Sequence, residues 1–374
     1  MKYFTLFILS TFFSYLLVLY TKYLSHRYRI LAQPQLNRWH NKPIPIHGSF
    51  GFFIIFVFFV FFTISIYAPD IRNISETSEV LITQSVFKSI TFVVALIGSA
   101  IMLFILGFVD DLFSLKASTK IIIQILICTF FILDTEVFYI SDNSLLNFSL
   151  TLLWLVGILN AANLIDSFDG ICASTIVVTS LSLLFITLIS STSDNNSFYM
   201  LAIASILSGS VMGFLIHNYP PASIFMGDSG SLSLGFIIAA ISIPSEANNF
   251  LGLGNNISSV KILLPICILS YPIFDTTLVT FSRILNKKKF YLGGKDHTTH
   301  RLANMGYSDS QVLFICLIYS LIGILSGLMI YNYQEYSILI FLLFFSLNFL
   351  GFLYMLKTDL IQLFNKQSKG GVKS

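Results

Sequence analysis

Apolar residues run along this chain in long blocks separated by short polar segments. A helix needs roughly 20 consecutive apolar residues to cross a bilayer. Eleven stretches approach that length: 3–24, 48–68, 87–108, 119–140, 145–163, 171–190, 198–216, 229–244, 260–281, 311–331 and 337–356. The stretches 145–163 and 229–244 are short or interrupted by polar residues. The pattern predicts an all-α, polytopic integral membrane protein with about 11 transmembrane helices. No Gly/Ser linker, low-complexity tract or clear repeat divides the chain, so residues 1–374 read as a single transmembrane domain. Residues 1–25 have the apolarity of a signal peptide but lack a small-x-small cleavage site and precede a basic segment. They read as the first span, uncleaved.

Composition narrows the class further. Hydrophobic residues make up 55% of the 374 and charged residues 10%, with a mean hydropathy of +0.83. A soluble domain carries about 25% charged residues, so this chain cannot cover a water-facing surface. It holds too much apolar material for a disordered chain. A net charge of +3 gives no reason to expect a nucleic-acid partner. Cys128, Cys172, Cys267 and Cys316 lie scattered inside apolar runs with no metal-binding spacing, and read as small hydrophobes.

Charge position sets orientation. With eleven spans the termini lie on opposite sides. Arg27, Arg29, Arg38 and Lys42 in the first loop, Arg283, Lys287, Lys288, Lys289, Lys295 and Arg301 in loop 282–310, and Lys357, Lys366, Lys369 and Lys373 in the tail fall on one side with Lys22, Lys116 and Lys120. That side holds 17 of the 21 basic residues and is expected to be cytoplasmic, leaving the N-terminus outside (periplasmic) and the C-terminus inside. The 18 acids divide nine and nine. The outer nine form no tight cluster with a glycine frame. On the inner side Asp110 with Asp111, Asp166 with Asp169, Asp228, Asp275 and Asp296 mostly abut span ends, where ionisable residues are costly and mark function.

Four constellations stand out. Gly107–Asp111 places two adjacent carboxylates at the inner end of a span, with Lys116 and Lys120 following. Adjacent carboxylates repel unless a cation or donors sit near them, although an acid there also suits the start of the next helix. Asn160, Asn163, Asp166 and Asp169 recur at helical spacing, a face suited to a polar cleft or to a polar helix–helix seam. Phe225-Met226-Gly227-Asp228-Ser229-Gly230 combines glycines that admit a close ligand, an acid that can hold a hard cation and an aromatic face for a base. His297 and His300, with Arg301 beside them, lie in the most basic loop and suit a phosphate better than a two-histidine zinc site. Pro43, Pro45, Gly48 and Gly51 read as turn formers before the second span. One face of a membrane protein thus gathers the groups for a magnesium-dependent reaction on a polyanion.

In order and content, Gly107–Asp111, Asn160–Gly170, Phe225–Gly235 and His297–Leu302 resemble the motifs of the bacterial polyprenyl-phosphate N-acetylhexosamine-1-phosphate transferases (glycosyltransferase family 4). That family includes the phospho-MurNAc-pentapeptide translocases, and the resemblance spans from about Arg38 to Gly306. It implies transfer of an N-acetylamino-sugar 1-phosphate from a UDP-N-acetylhexosamine to polyprenyl (undecaprenyl) phosphate, with release of UMP. It implies a catalytic set of Asp110, Asp111, Lys120, His297, His300 and Arg301. Asn160, Asn163, Asp166, Asp169, Phe225 and Lys116 would bind substrate, and Asp228 would hold Mg²⁺, with Mn²⁺ as an alternative ion. The implied location is the bacterial inner membrane, among its lipids, with loops 25–47, 109–118, 160–170, 217–228 and 282–310 forming a cytoplasmic active-site face; a homodimer is compatible with it.

The block His-Thr-Thr-His-Arg-Leu is similar to the GlcNAc-1-phosphate branch, whereas the pentapeptide translocases carry a longer run of adjacent histidines there. Ser167, Ile46 and Ser49 depart from the family pattern, which usually has Gly at the first and often Arg and Gly at the others. A pentapeptide translocase remains the alternative within the family. A secondary transporter predicts mid-span acids and a repeat, and neither is found. An intramembrane aspartyl protease built on Asp110 and Asp228 leaves the Asn and His motifs unused.

Overall fold

The computed structural model describes residues 2–33, 43–67, 79–135, 138, 142–190, 195–243, 258–288 and 294–370. Arg38, Lys42, Arg72, Lys289 and Lys373, with Asp70, Glu76, Glu136, Asp194 and Glu246, lie outside them. In chain order the helices are α1 (Lys2–Arg27), α2 (Ser49–Tyr67), α3 (Glu79–Phe113), α4 (Ala117–Asp134), α5 (Ser144–Ile165), α6 (Ile171–Ser190), α7 (Asn195–Asn218), α8 (Asp228–Ile241), α9 (Ser258–Ile268), α10 (Ser270–Leu285), α11 (Thr298–Asn304), α12 (Asp309–Asn332) and α13 (Ser337–Gly370). The short strands β1 (Leu31–Ala32) and β2 (Ile44–Pro45) pair antiparallel ahead of α2. The protein is an all-α, multi-pass membrane protein.

Each of the eleven predicted stretches falls on a helix or a helix pair. Among the described residues nine helices are long and apolar enough to cross a membrane, and α9 with α10, bent by 78°, makes a tenth. The bend has a local cause. Pro272 in the first turn of α10 has no N–H to carry the α9 ladder onward, and Pro265 interrupts α9 itself.

The stretch 229–244 behaves differently. α8 has 14 residues, about 21 Å of helix, against a hydrocarbon core of about 30 Å. Every residue from Ser229 to Ile241 is buried. α8 is a core helix packed against α2, α3, α5 and α6, and glycines at its contacts let it come close. A Cβ at Gly235 would collide with Leu159 and Ala162 of α5, and one at Gly107 of α3 would collide with the backbone of Asp228 and Ser229. Small residues let membrane helices approach this closely. Gly209 and Gly213 do the same for α7 against Phe7, Ser10, Thr11 and Ser14 of α1. Outside this core, α13 turns Leu343, Leu347 and Leu350 outward, as a lipid-facing helix must.

Several predicted loops are largely helix. α3 runs through Asp110 and Asp111 to Phe113, and α5 runs to Ile165. The segments 109–118 and 160–170 are therefore helix ends with short turns, which fixes their side chains more tightly than loops would.

Candidate active site

The C-terminal ends of α3 and α5, the N-terminal end of α4 and the first turn of α8 converge. Lys120, one turn into α4, lies 2.7 Å from Asp110 Oδ2 and also donates a close hydrogen bond to Asp228 Oδ2. One ammonium thus bridges carboxylates from α3 and α8 and offsets their repulsion. Asp110 Oδ1 accepts the Leu115 N–H at 2.7 Å. Lys116 is exposed at the N-cap of α4, so of the two lysines only Lys120 reaches the carboxylates.

Asp111 faces elsewhere. Its carboxylate accepts the backbone N–H groups of Asp228 at 3.0 Å and Ser229 at 3.3 Å, and the Ser229 hydroxyl at 3.4 Å. It satisfies donors at the start of α8, whose own N-cap, Gly227, has no side chain to do so. Gly227 holds φ at +80°, and a Cβ there would crowd Asp111 Oδ2 at 2.7 Å. Glycine is required on both counts.

The Asn160–Gly170 motif divides in the same way. Asn160 Nδ2 donates to Gln124 Oε1 of α4 and to Val156 O, both at 2.8 Å, which makes it part of a helix–helix seam. Asn163 Nδ2 donates to Ser231 Oγ of α8 at 2.8 Å. Asp169 Oδ2 accepts the Ala222 N–H at 2.8 Å, and Gly170 N–H donates to Asn218 Oδ1 at 3.0 Å, so this turn is tied to the loop that carries Phe225. Asp166 is the ionisable group of the motif most affected by its surroundings. Burial pushes its carboxyl well above the usual range, and the carboxylates of Asp228, Asp111 and Asp169 push it the same way. Both effects favour the protonated form over the carboxylate.

The histidine block is held by α10. Asp275 is 1% exposed; it shares a 2.8 Å hydrogen bond with His297 Nδ1 and accepts the Thr298 N–H at 2.7 Å. Sequence reasoning marked Asp275 as a costly acid but gave it no partner. His300, on α11, sits edge-on to Phe168 at a centroid distance of 6.1 Å, which joins this block to the Asn–Asp motif. Burial, reinforced by His297, lowers the His300 pKa to about 4, so the ring is neutral at pH 7. Arg301 is occupied by scaffold bonds. Its Nε donates to Asp296 O at 3.0 Å and its terminal nitrogens to Met355 O at 2.8 Å and Ser282 Oγ at 2.9 Å. Arg283 forks onto Asp296 at 2.8 and 2.9 Å. Burial alone would raise the Asp296 pKa, but Arg283 outweighs it and holds the carboxyl below the usual range.

The first loop is part of the same structure, which the motifs did not reveal. Phe225 N–H donates to Pro45 O at 2.8 Å and Gly48 N–H to Phe225 O at 2.9 Å, placing Phe225 beside β2. The side chain of Phe225 is half-buried, so part of its ring is open to a stacking partner. Ser49 and Ser229 share a 2.8 Å hydrogen bond between their hydroxyls, so the departure at Ser49 adds a tie from α2 to the first turn of α8. His47 is buried nearby with Nδ1 3.6 Å from Asp111 Oδ2.

Among the described residues no three His, Cys, Asp or Glu side chains form a group able to hold an ion unaided. Mg²⁺ commonly takes only one or two protein carboxylates, completing its shell with water and substrate phosphate. Asp228 and Asp110, drawn to one ammonium, supply that number and type of ligand.

Residues 92–246 match the sequence model of glycosyl transferase family 4. The chain is 36% identical over 238 residues to the probable undecaprenyl-phosphate N-acetylglucosaminyl 1-phosphate transferase of Bacillus subtilis, covering 61% of this chain and 63% of that protein. It is 31% identical over 242 residues to the decaprenyl-phosphate N-acetylglucosaminephosphotransferase of Mycobacterium leprae, covering 59% and 60%. A shorter likeness, 41% over 92 residues and 25% and 26% of the two chains, links it to the phospho-N-acetylmuramoyl-pentapeptide-transferase of Streptococcus uberis. The chain spans about three fifths of the length of the two N-acetylglucosaminyl-phosphate relatives. Residues 92–246, over which the chain is similar to glycosyl transferase family 4, hold the first three of the four motifs.

Proposed function

We propose that the protein transfers GlcNAc-1-phosphate from UDP-GlcNAc to a polyprenyl phosphate at the cytoplasmic face of a bacterial inner membrane. The observation that carries this reading is the bridging of Asp110 and Asp228 by Lys120 beside Asn163 and Asp166. It puts a cation, two acids and neutral donors where a diphosphate could be held. The relatives matched over the greatest length carry N-acetylglucosaminyl phosphate and prenyl phosphates in their names, whereas pentapeptide transferases match a quarter of the chain, or half of it at 26% identity. The Lys/Arg bias supports a cytoplasmic site.

In this reading the phosphate oxygen of the lipid attacks the β-phosphorus of the UDP-sugar. The β-phosphorus–oxygen bond to the α-phosphate breaks, and UMP leaves with that oxygen. The lipid phosphate is mostly dianionic at pH 7, its second pKa being about 6, so it needs little help from a base. Asp110 orients it or removes the remaining proton. Lys120 neutralises charge as the bond breaks. Asp166 and Asn163 face the nucleotide side, where the Asn163 amide donates, and Phe225 offers its ring to uracil. Asp228 and Asp110 would hold Mg²⁺, which supplies charge stabilisation on the diphosphate. The test is release of radiolabelled UMP from UDP-GlcNAc by the purified protein, with and without polyprenyl phosphate and Mg²⁺. Release that needs both supports the reading. No release from any UDP-N-acetylhexosamine under any of these conditions overturns it.

A further inference from the structure

His47 lies outside the four motifs. Its backbone holds φ at +68°, a left-handed conformation that costs a residue with a Cβ about 1–2 kcal/mol. Its side chain is 9% exposed. Neither ring nitrogen has a hydrogen-bond partner among the described residues. Nδ1 faces Asp111 Oδ2 across 3.6 Å, beyond hydrogen-bond length. Phe108 and Phe50 meet the ring edge-on, with centroids at 5.2 and 6.1 Å. An unsatisfied ring in an apolar cradle is costly. The chain keeps it there by pinning the flanking backbone: Gly48 N–H to Phe225 O and Phe225 N–H to Pro45 O. Strain and an unmet polar group, both aimed at one carboxylate, mark a functional position.

We infer that His47 is a positioning residue for the transfer reaction: its Nδ1–H closes onto Asp111 as substrate fills the cleft. That contact fixes the carboxylate that holds the first turn of α8, and through it Asp228. The catalytic part of this inference rests on the function proposed above. Packing is the competing role, since the ring also fills space against Phe50 and Phe108.

His47→Asn and His47→Phe separate the two. Asn keeps an amide donor near the place of Nδ1 and tolerates positive φ; Phe keeps the ring and loses the donor. The full-length protein in lipid nanodiscs would be assayed for UMP release, alone and with Asp111→Asn. His47→Phe is expected to lower kcat about tenfold with KM for UDP-GlcNAc changed less than about twofold, and His47→Asn to recover most of the loss. Adding His47→Phe to Asp111→Asn is expected to lower kcat no further, because the partner is already altered. A fully active His47→Phe protein, or losses that multiply in the double variant, overturns the inference. If the wild type releases no UMP, the function proposed above fails instead. The His47–Asp111 link is then read from the melting temperatures of the same variants in nanodiscs with UDP-GlcNAc, where additive shifts overturn it and non-additive shifts sustain it.

Discussion

The backbone N–H of Asp228 donates to Asp111 Oδ1 at 3.0 Å, while Asp110, one residue earlier, faces Lys120. The two neighbouring aspartates therefore do different work. Asp111 holds the beginning of α8 in place, and Asp110 belongs to the charged cleft. Replacing each by Asn should separate these roles. Asp111→Asn is expected to lower stability by about 1–3 kcal/mol, the cost of weakening bonds to buried donors, along with activity. Asp110→Asn is expected to change stability by less than about 1 kcal/mol while reducing kcat far more than KM. Thermal unfolding and UMP release on the two variants check this, and the opposite ranking in stability would refute the division.

Lys120 has two carboxylates to balance, so removing its charge leaves them facing each other. Lys120→Met is expected to cost about 1–3 kcal/mol, since the charges it strands are only partly buried, and to reduce turnover by about 100-fold or more. A second change, Asp110→Asn, removes one of the stranded charges. The double variant should regain much of the stability and none of the activity. Melting temperatures with single-turnover rates measure both, and a double variant no more stable than Lys120→Met contradicts the arrangement.

His300 should leave a mark on acid stability. Its pKa in the folded protein is about 4, against 6.5 for an ordinary imidazole. Between those values the unfolded chain binds the proton and the folded protein does not. The contribution of His300 is therefore complete above pH 6.5 and is lost as pH falls towards 4. His300→Gln is expected to flatten the decline of melting temperature across that window. An unchanged acid slope in the variant would mean that the proton is taken up elsewhere.

The four motifs were legible because charge is scarce in this chain, so each acid near a span end stood out. Their division of labour was not. Asp110 and Asp111 look alike in sequence, but successive residues on a helix point about 100° apart, and only the positions of α4 and α8 decide what each meets. Asn160 faces Gln124, as the alternative of a polar seam allowed. Arg301 read as a phosphate ligand from its basic loop, yet its bonds reach Ser282 and Met355, whose proximity the sequence does not encode locally. Asp275 and His297 are 22 residues apart and meet because α11 packs back against α10. His47 carried no signal beyond its type, since its burial depends on a turn pinned by Phe225. The eleven apolar stretches were read correctly as helices, but hydropathy alone could not distinguish a span from a short helix enclosed by its neighbours.

α8 also constrains how the protein is made. Its surface carries Ser229, Ser231 and Ser233 and is closed on every side by other helices. Lipid offers those hydroxyls no partners, and 14 residues do not reach across the hydrocarbon core. During synthesis α8 emerges after α2, α3, α5 and α6, the helices that enclose it, are already available. Insertion and assembly are then one event for this segment. The carboxylate of Asp111 is in place to receive the first turn of α8, and the charged cleft comes into being only when that segment docks.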